Sequence, residues 1–336
     1  MPAPEGFDVK QANVVSQWPH DRPLNACRFD PTGRFVFCGS EDAAVERFHL
    51  ADGARTVLGG GHETWVRAIA FSRDGAHAMT GGCDGKITWW ETAAEAPTPI
   101  RSVDAHQGWI RALDVSPDGT LLASGGNDNR VRLWNTSDGT LVRELTSHER
   151  HVYSLTFHPG GEFLLSGDLT GGLKQWEVSS GKEVRAFDAK PLHTYEGGQQ
   201  VDFGGIRAIA LSPDGKWLAA GGLHKASNPL GAVHEPLVLL FDWQSQKLEK
   251  QLIAEGIAGG VIWRLRWLSD GSVMGVSGGS TGGFLLFWKP DADKDFHRFQ
   301  LPNIARDMDL HPDGLQVATA HHDRHVRITR LAAKPT

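Results

Sequence analysis

One short phrase recurs seven times along the 336 residues and limits the fold more than any other feature. An apolar residue, a short polar step and a glycine appear as FDPTG (Phe29 to Gly33), FSRDG (Phe71 to Gly75), VSPDG (Val115 to Gly119), FHPGG (Phe157 to Gly161), LSPDG (Leu211 to Gly215), WLSDG (Trp267 to Gly271) and LHPDG (Leu310 to Gly314). Successive closing glycines are 42, 44, 42, 54, 56 and 43 residues apart. A period of roughly 40 to 45 residues is that of a four-stranded propeller blade. Each phrase joins two short alternating runs, such as Val66 to Phe71 and Ala76 to Thr80, with further runs at Ile87 to Trp90 and Ile100 to Val103. Such runs, divided by Gly, Asp and Pro, are signals of an all-β meander. A lone sheet of this kind leaves two apolar faces bare, so neighbouring repeats must cover one another. The expected architecture is therefore all-β: a seven-bladed β-propeller of four-stranded antiparallel blades in a single domain.

Composition narrows the function classes. Forty glycines and seventeen prolines fit many tight turns, and their periodic placement argues against disorder. A net charge of −6 favours neither nucleic acid nor an anionic membrane surface. Cys27, Cys38 and Cys83 are the only cysteines, which argues against a disulfide framework and for a reducing compartment. The opening residues MPAPEGFDVKQ lack a basic start and an apolar run, and no stretch reaches the roughly 18 apolar residues of a membrane helix. A cytoplasmic, soluble protein is expected.

The second and third repeats read GHETWVRAIAFSRDGAHAMTGGCDGKITWWE and AHQGWIRALDVSPDGTLLASGGNDNRVRLWN. Both resemble WD-repeat proteins, whose unit carries Gly-His, then an Asp in a turn, then Trp-Asp closing the third strand. The resemblance implies an internal hydrogen-bond set: His62, Thr80, Asp84 and Trp90 in blade two, and His106, Ser124, Asp128 and Trp134 in blade three. The His-to-Asp spacing is 22 in both. Blade one keeps that spacing with His20 and Asp42, but has Cys38 and Phe48 at the hydroxyl and indole places. Blade four keeps His148, Ser166 and Trp176, with Thr170 where the Asp is expected. Blade seven keeps Thr319 and Asp323, with Leu301 and Thr329 at the other places. Blades five and six depart most: Phe241 and Asp242 stand for Trp-Asp, and the matching of Phe287 and Trp288 is ambiguous. In such a set a carboxylate accepts from one imidazole nitrogen, and the hydroxyl pairs with the other nitrogen and accepts from the indole N–H. His, Ser and Asp here match a catalytic triad in composition. Their recurrence in several blades marks them as structural, because an active site would occur once.

The blades are expected at about residues 19–58, 62–103, 106–145, 148–187, 193–253, 257–300 and 301–331. The last holds only three strands, whereas Asn13 to Trp18 precedes blade one without a partner. Residues 13–18 are therefore expected to complete the last blade, which removes a free seam.

Two insertions break the rhythm, both in blade five. His193 is followed by Ile206 after 13 residues, where His106 and Ile110 are four apart. The second insertion is Leu223 to Pro236. Together they carry His193, Tyr195, Glu196, His224, Lys225, His234 and Glu235. In the WD-repeat layout both open on one face, where loops of a repeat scaffold usually bind. A second row lies four residues before each phrase: Asn25, Arg67, Arg111, Tyr153, Arg207, Trp263 and Arg306. Its arginines would line one channel mouth and suit carboxylate or phosphate, unless they pair with neighbours such as Asp114 or Asp309. Trp65, Trp109 and His151 precede this row as candidate contact anchors. Cys83, Asn127, Leu169 and His322 would rim the same face.

Other signals carry no chemistry. HHDRH (His321 to His325) spans a turn, GGSTGG (Gly278 to Gly283) lacks the Lys-Ser or Lys-Thr of a phosphate loop, and neither G-x-S-x-G nor H-E-x-x-H occurs. The insertion His and Glu residues lack compact metal-ligand spacing. The reading is a non-catalytic protein–protein interaction scaffold without metal or cofactor, a monomer on its own. It would bind a protein or peptide partner through Trp65, Arg67, Trp109, Arg111, His151, Tyr153, Arg207, Arg306, His193, Tyr195, His224 and His234. The alternatives are a binder of an anionic small molecule or phospho-group at the Arg-lined mouth and, less favoured, a metal-dependent propeller hydrolase.

Overall fold

The computed structural model describes residues 3–228 and 233–334, so Pro229 to Ala232 of the second blade-five insertion lie outside the described residues. Among the described residues, apart from the single-turn 3-10 helices Val9–Gln11 and Lys190–Leu192, all regular structure is strand. Seven four-stranded antiparallel sheets follow one another. The first strands of blades one to seven are Leu24–Phe29, Val66–Phe71, Ile110–Val115, Val152–Phe157, Ala208–Leu211, Val261–Trp267 and Ala305–Leu310. In each of the first six sheets the strands pair in chain order. In the seventh, Asn13–Pro19 pairs with His325–Arg330 as the outer strand, with Val14 opposite Thr329 and Ser16 opposite Ile328.

The recurring phrase is the turn between the first and second strands. All seven closing glycines have φ between 70° and 78°, the left-handed conformation that glycine alone adopts without strain. In several repeats a serine opens the turn and its hydroxyl donates to the Asp two residues on, as Ser72 does to Asp74 and Ser212 to Asp214. This Asx chemistry, followed by a left-handed residue, fixes the turn and sets the register of the hairpin behind it.

Two compact units compose the chain. One is Ser147–Ala305, holding blades four, five and six; the other is Pro4–Thr146 with the last sheet. Within each unit adjacent sheets share apolar cores. Trp89, Met79 and Ile87 of blade two pack with Leu113 and Leu122 of blade three, and Val238 and Leu240 of blade five pack with Leu265 and Trp288 of blade six. Full burial of such side chains contributes about 1.5–3 kcal/mol each. In six of the seven blades an aromatic ring recurs near the end of the third strand, and blade seven has Thr329 at that place. Phe48, Trp90, Trp134, Trp176 and Phe241 each face the second residue of the second strand. Phe287 faces Met274 in the same way, so Phe287 holds the tryptophan place of blade six and Trp288 the place after it.

Candidate functional site

Three hydrogen-bond sets tie the blades internally. In blade two the imidazole of His62 meets Asp84 through Nδ1 at 3.1 Å and the Thr80 hydroxyl through Nε2 at 2.8 Å, and Trp90 donates its indole N–H to that hydroxyl at 2.8 Å. Blade three repeats the arrangement with Asp128, His106, Ser124 and Trp134. In blade four His148 and Trp176 both meet Ser166, but the carboxylate is Asp168, 2.8 Å from His148 Nδ1, and not a residue at the Thr170 place. Asp168 ends the second strand, two residues early, and its other oxygen accepts from the N–H groups of Thr170 and Gly172. Burial works against its charge, yet these bonds hold its carboxyl below the usual range.

Blades one and seven rebuild parts of the set. In blade one His20 Nε2 lies 3.1 Å from Glu46, whereas Asp42 accepts from the Ser40 hydroxyl. The spacing of 22 residues between His20 and Asp42 therefore does not make the expected pair: with Cys38 and Phe48 at the hydroxyl and indole places, the carboxylate beside the imidazole is the third-strand Glu46, within ion-pair distance of Nε2 but without a hydrogen bond to it. In blade seven Thr319 pairs with His321 two residues along its own strand at 2.7 Å, and Asp323 is bridged by Arg327. His62, His106, His148 and His321 are each bonded to side chains of their own blade, which is a structural role.

The row Asn25, Arg67, Arg111, Tyr153 and Trp263 has one backbone feature in common. The first-to-second strand register slips at each of these residues, leaving it unpaired in the ladder. A bulge of this type re-aims one side chain out of the pleat. Beside the bulge a second regularity joins the other two rows: Cys83 N–H donates to Trp65 O, Asn127 N–H to Trp109 O, and Leu169 N–H to His151 O, at 2.8–3.0 Å. The side chains that sequence spacing set 18 residues apart are thus neighbours by a repeated backbone bond.

In the unit that holds blades two and three, these devices assemble a patch. Trp65 and Trp109 have ring centroids 6.3 Å apart and stay 39% and 37% exposed, unusual for such large side chains. The guanidiniums of Arg67 and Arg111 lie 5.5 and 5.0 Å from the Trp109 ring, and Arg111 Nε donates to Asn127 Oδ1 at 2.6 Å. Cys83 stands between the two arginines; burial pushes its thiol up while their charges pull the other way. Arg306 is half-buried and tied to Asn25 and Glu41, partners that the spacing of the row did not indicate. Cation–π contacts of this kind are worth about 0.5–2 kcal/mol and hold the guanidiniums in a fixed plane.

In the other unit the first insertion forms a hairpin of its own, His193–Glu196 with Val201–Gly204. The second extends the second and third strands of blade five to Trp217–Asn228 and Val233–Asp242. Phe203 of the hairpin packs with Leu223, Ala226, Val261 and Trp263. Arg207 lies 3.8 Å from the Tyr153 ring and 5.7 Å from that of Trp263, and its Nε donates to Gly204 O. It clasps the end of the hairpin to the bulge row. An apolar Phe203 in a polar insertion was the one sequence signal for this docking. The insertion imidazoles do not converge: His193 meets Asp202 at 2.8 Å, His224 faces Glu235 at 3.7 Å, and His234 meets Gly260 O. Among the described residues no three His, Cys, Asp or Glu side chains gather as a metal site. Tyr195 projects from the hairpin, 58% exposed.

Seven four-stranded sheets, each opened by the same turn and several tied by the same buried set, define a seven-bladed β-propeller. The chain belongs to the WD40 family: it matches the WD domain, G-beta repeat over residues 13–45, 55–91, 97–135, 139–177 and 189–225, together more than half its length. Propellers of this family are in general protein-interaction scaffolds. Over 85 residues, 25% of the chain, it is 33% identical to telomerase protein component 1 of Rattus norvegicus, and this stretch spans 3% of that relative's length.

Proposed function

We propose that this chain is a non-catalytic scaffold that holds a protein or peptide partner against the Trp65–Trp109 patch. The observation that carries this reading is the patch itself: two exposed indoles fixed 6.3 Å apart, with two guanidiniums ordered on one of them. Aromatic and arginine anchors that are rigid before contact lose little entropy on binding. An apolar side chain of the partner would cover Trp65, and a partner carboxylate or phosphate would meet Arg67 and Arg111. Tyr195 and the docked hairpin offer a second contact in their own unit. The similarity to a protein component of telomerase supports a place within an assembly. Three unbonded thiols suit a reducing, cytoplasmic setting, and the scaffold is a monomer until its partner binds.

The test compares the wild type with Trp65→Ala and with Arg67→Glu/Arg111→Glu in quantitative capture from native lysate, alongside thermal melting. Loss of the same captured proteins from both variants, with melting unchanged, supports the patch. Capture that is unaffected by either variant rejects it. A specific small anion retained by the wild type, and lost in the arginine variant only, would favour the alternative anion-binding reading.

A further inference from the structure

A cavity of about 360 Å³ opens between blades five and six, at the end of the strand Val261–Trp267 remote from its bulge residue Trp263. Trp217, Trp267, Pro213, Pro290 and Leu268 line it, with Asp214 at its rim. Trp217 begins the second strand of blade five and Trp267 ends the first strand of blade six, so the cavity is built on two strands and not on loops alone. No other repeat carries tryptophan at the Trp217 place, which is held by Phe35, His77, Leu121, Phe163, Val273 or Gln316. The place of Trp267 is otherwise Phe, Val or Leu.

The two indoles differ in one respect. Trp267 donates its N–H to Ala210 O at 3.2 Å, and both rings are half-buried against the blade-five and blade-six core. Trp217 is steadied by the Lys216 ammonium 4.8 Å from its ring, but its own N–H meets no partner among the described residues and is not sealed from solvent. The site thus presents two aromatic walls, two proline rings, the Ser269 hydroxyl and the unused indole donor of Trp217. Such a lining suits a ligand that offers apolar rings and bare carbonyls but needs no acceptors for its own N–H groups. A polyproline II segment has that character: it lacks internal hydrogen bonds, is already extended, and docks on aromatic grooves whose polar tips read its carbonyls. The cavity lies near the lower bound of small-ligand pockets, so it accommodates a short stretch and not a folded domain. The exposed Asp214 carboxylate accepts from Ser212 and the Lys216 N–H and is the acidic side chain among the residues that line the cavity, which gives the site a negative edge.

We infer that this cavity is a docking site for a proline-rich partner segment in the polyproline II conformation, flanked by a basic residue that meets Asp214. It belongs to different blades from the Trp65–Trp109 patch.

The test is calorimetric titration of the full chain with an arginine-flanked polyproline peptide, and with a control in which serine and glycine replace proline at the same charge. The proline peptide should bind, and the control should bind at least about ten-fold more weakly. Trp217→Phe, which keeps a ring and removes the donor, should weaken binding by about ten-fold. Asp214→Asn, on the surface, should weaken it a few-fold and flatten its salt dependence. The indole resonance of Trp217 should shift on titration. Equal binding of the two peptides, no binding of the proline peptide, tighter binding of a trimethyl-lysine peptide, or an unmoved Trp217 resonance would each overturn the inference.

Discussion

Asp168 accepts from His148 Nδ1 at 2.8 Å while its second oxygen closes the turn onto the N–H groups of Thr170 and Gly172. One carboxylate therefore serves both the buried imidazole and the hairpin that follows. In blades two and three the corresponding Asp lies inside the turn, two residues later relative to the histidine.

This assignment separates two neighbouring residues. Asp168→Ala strands a buried imidazole N–H and two backbone donors, and should cost roughly 1–3 kcal/mol. Thr170→Ala removes a single exposed-side bond to Asp168 and should cost at most about 1 kcal/mol. Urea unfolding of the two variants checks the order, and equal losses would remove Asp168 from the set.

A buried ion pair links the first strand of blade one to that of blade seven. Arg28 Nη1 lies 2.6 Å from Asp307 Oδ2 and also donates to the carbonyls of Cys27 and Met308, with both side chains over nine-tenths buried. Burial raises the Asp307 pKa, against the pull of Arg28. Removing one partner leaves an uncompensated charge, so Asp307→Ala should destabilise by about 3–5 kcal/mol. The double variant Arg28→Met/Asp307→Leu should recover most of that loss, since a well-packed apolar pair is often neutral against an ionic one. Denaturant midpoints of the three proteins measure the loss and its recovery.

Blade one carries a pH response. Burial pushes the Glu46 carboxyl up to about 7, against the hydrogen bond from Arg55 and helped by the charges of Asp21 and Asp42. The folded state therefore favours the protonated acid, so its contribution is complete below the unfolded value of 4.5 and is lost as pH rises through about 7. His20 runs the other way: burial, with Arg55 adding and Asp42 and Asp21 opposing, lowers its pKa below 6.5, so its contribution holds above 6.5 and is lost as pH falls through the lowered value. Glu46→Gln keeps His20 and removes the carboxylate. The melting temperature of the wild type relative to this variant should fall between pH 4.5 and 7. A difference that is flat with pH would show that Glu46 does not titrate in this range.

Much of the fold was legible because the repeat is a backbone requirement written in side chains. A left-handed turn favours glycine, so seven glycines closing the same phrase announce seven hairpins, even where the blade-five insertions lengthen the spacing. The row Arg67, Arg111 and Tyr153 was legible as a position, since it lies at a fixed distance from each turn. That the position is a bulge was not, because a register slip depends on which backbone groups pair across strands. The stacking of Arg67 on Trp109 was hidden for the same reason: the two residues come from different blades. Spacing alone misled at Asp42 and Thr170. A carboxylate side chain reaches far enough that a neighbour two residues away, or Glu46 from the next strand, can occupy the same space.

By itself the amino-acid sequence determined the number of sheets, the strand–turn–strand rhythm, and which residue types stand at equivalent places, because local turn chemistry and alternating burial act over a few residues. Tertiary structure decided which partner each buried imidazole takes, that Arg207 clasps the insertion hairpin between Tyr153 and Trp263, and that Trp217 and Trp267 wall a cavity in which one indole donor is unused. Those outcomes depend on distances between residues tens of positions apart, and only packing of one sheet on the next fixes them.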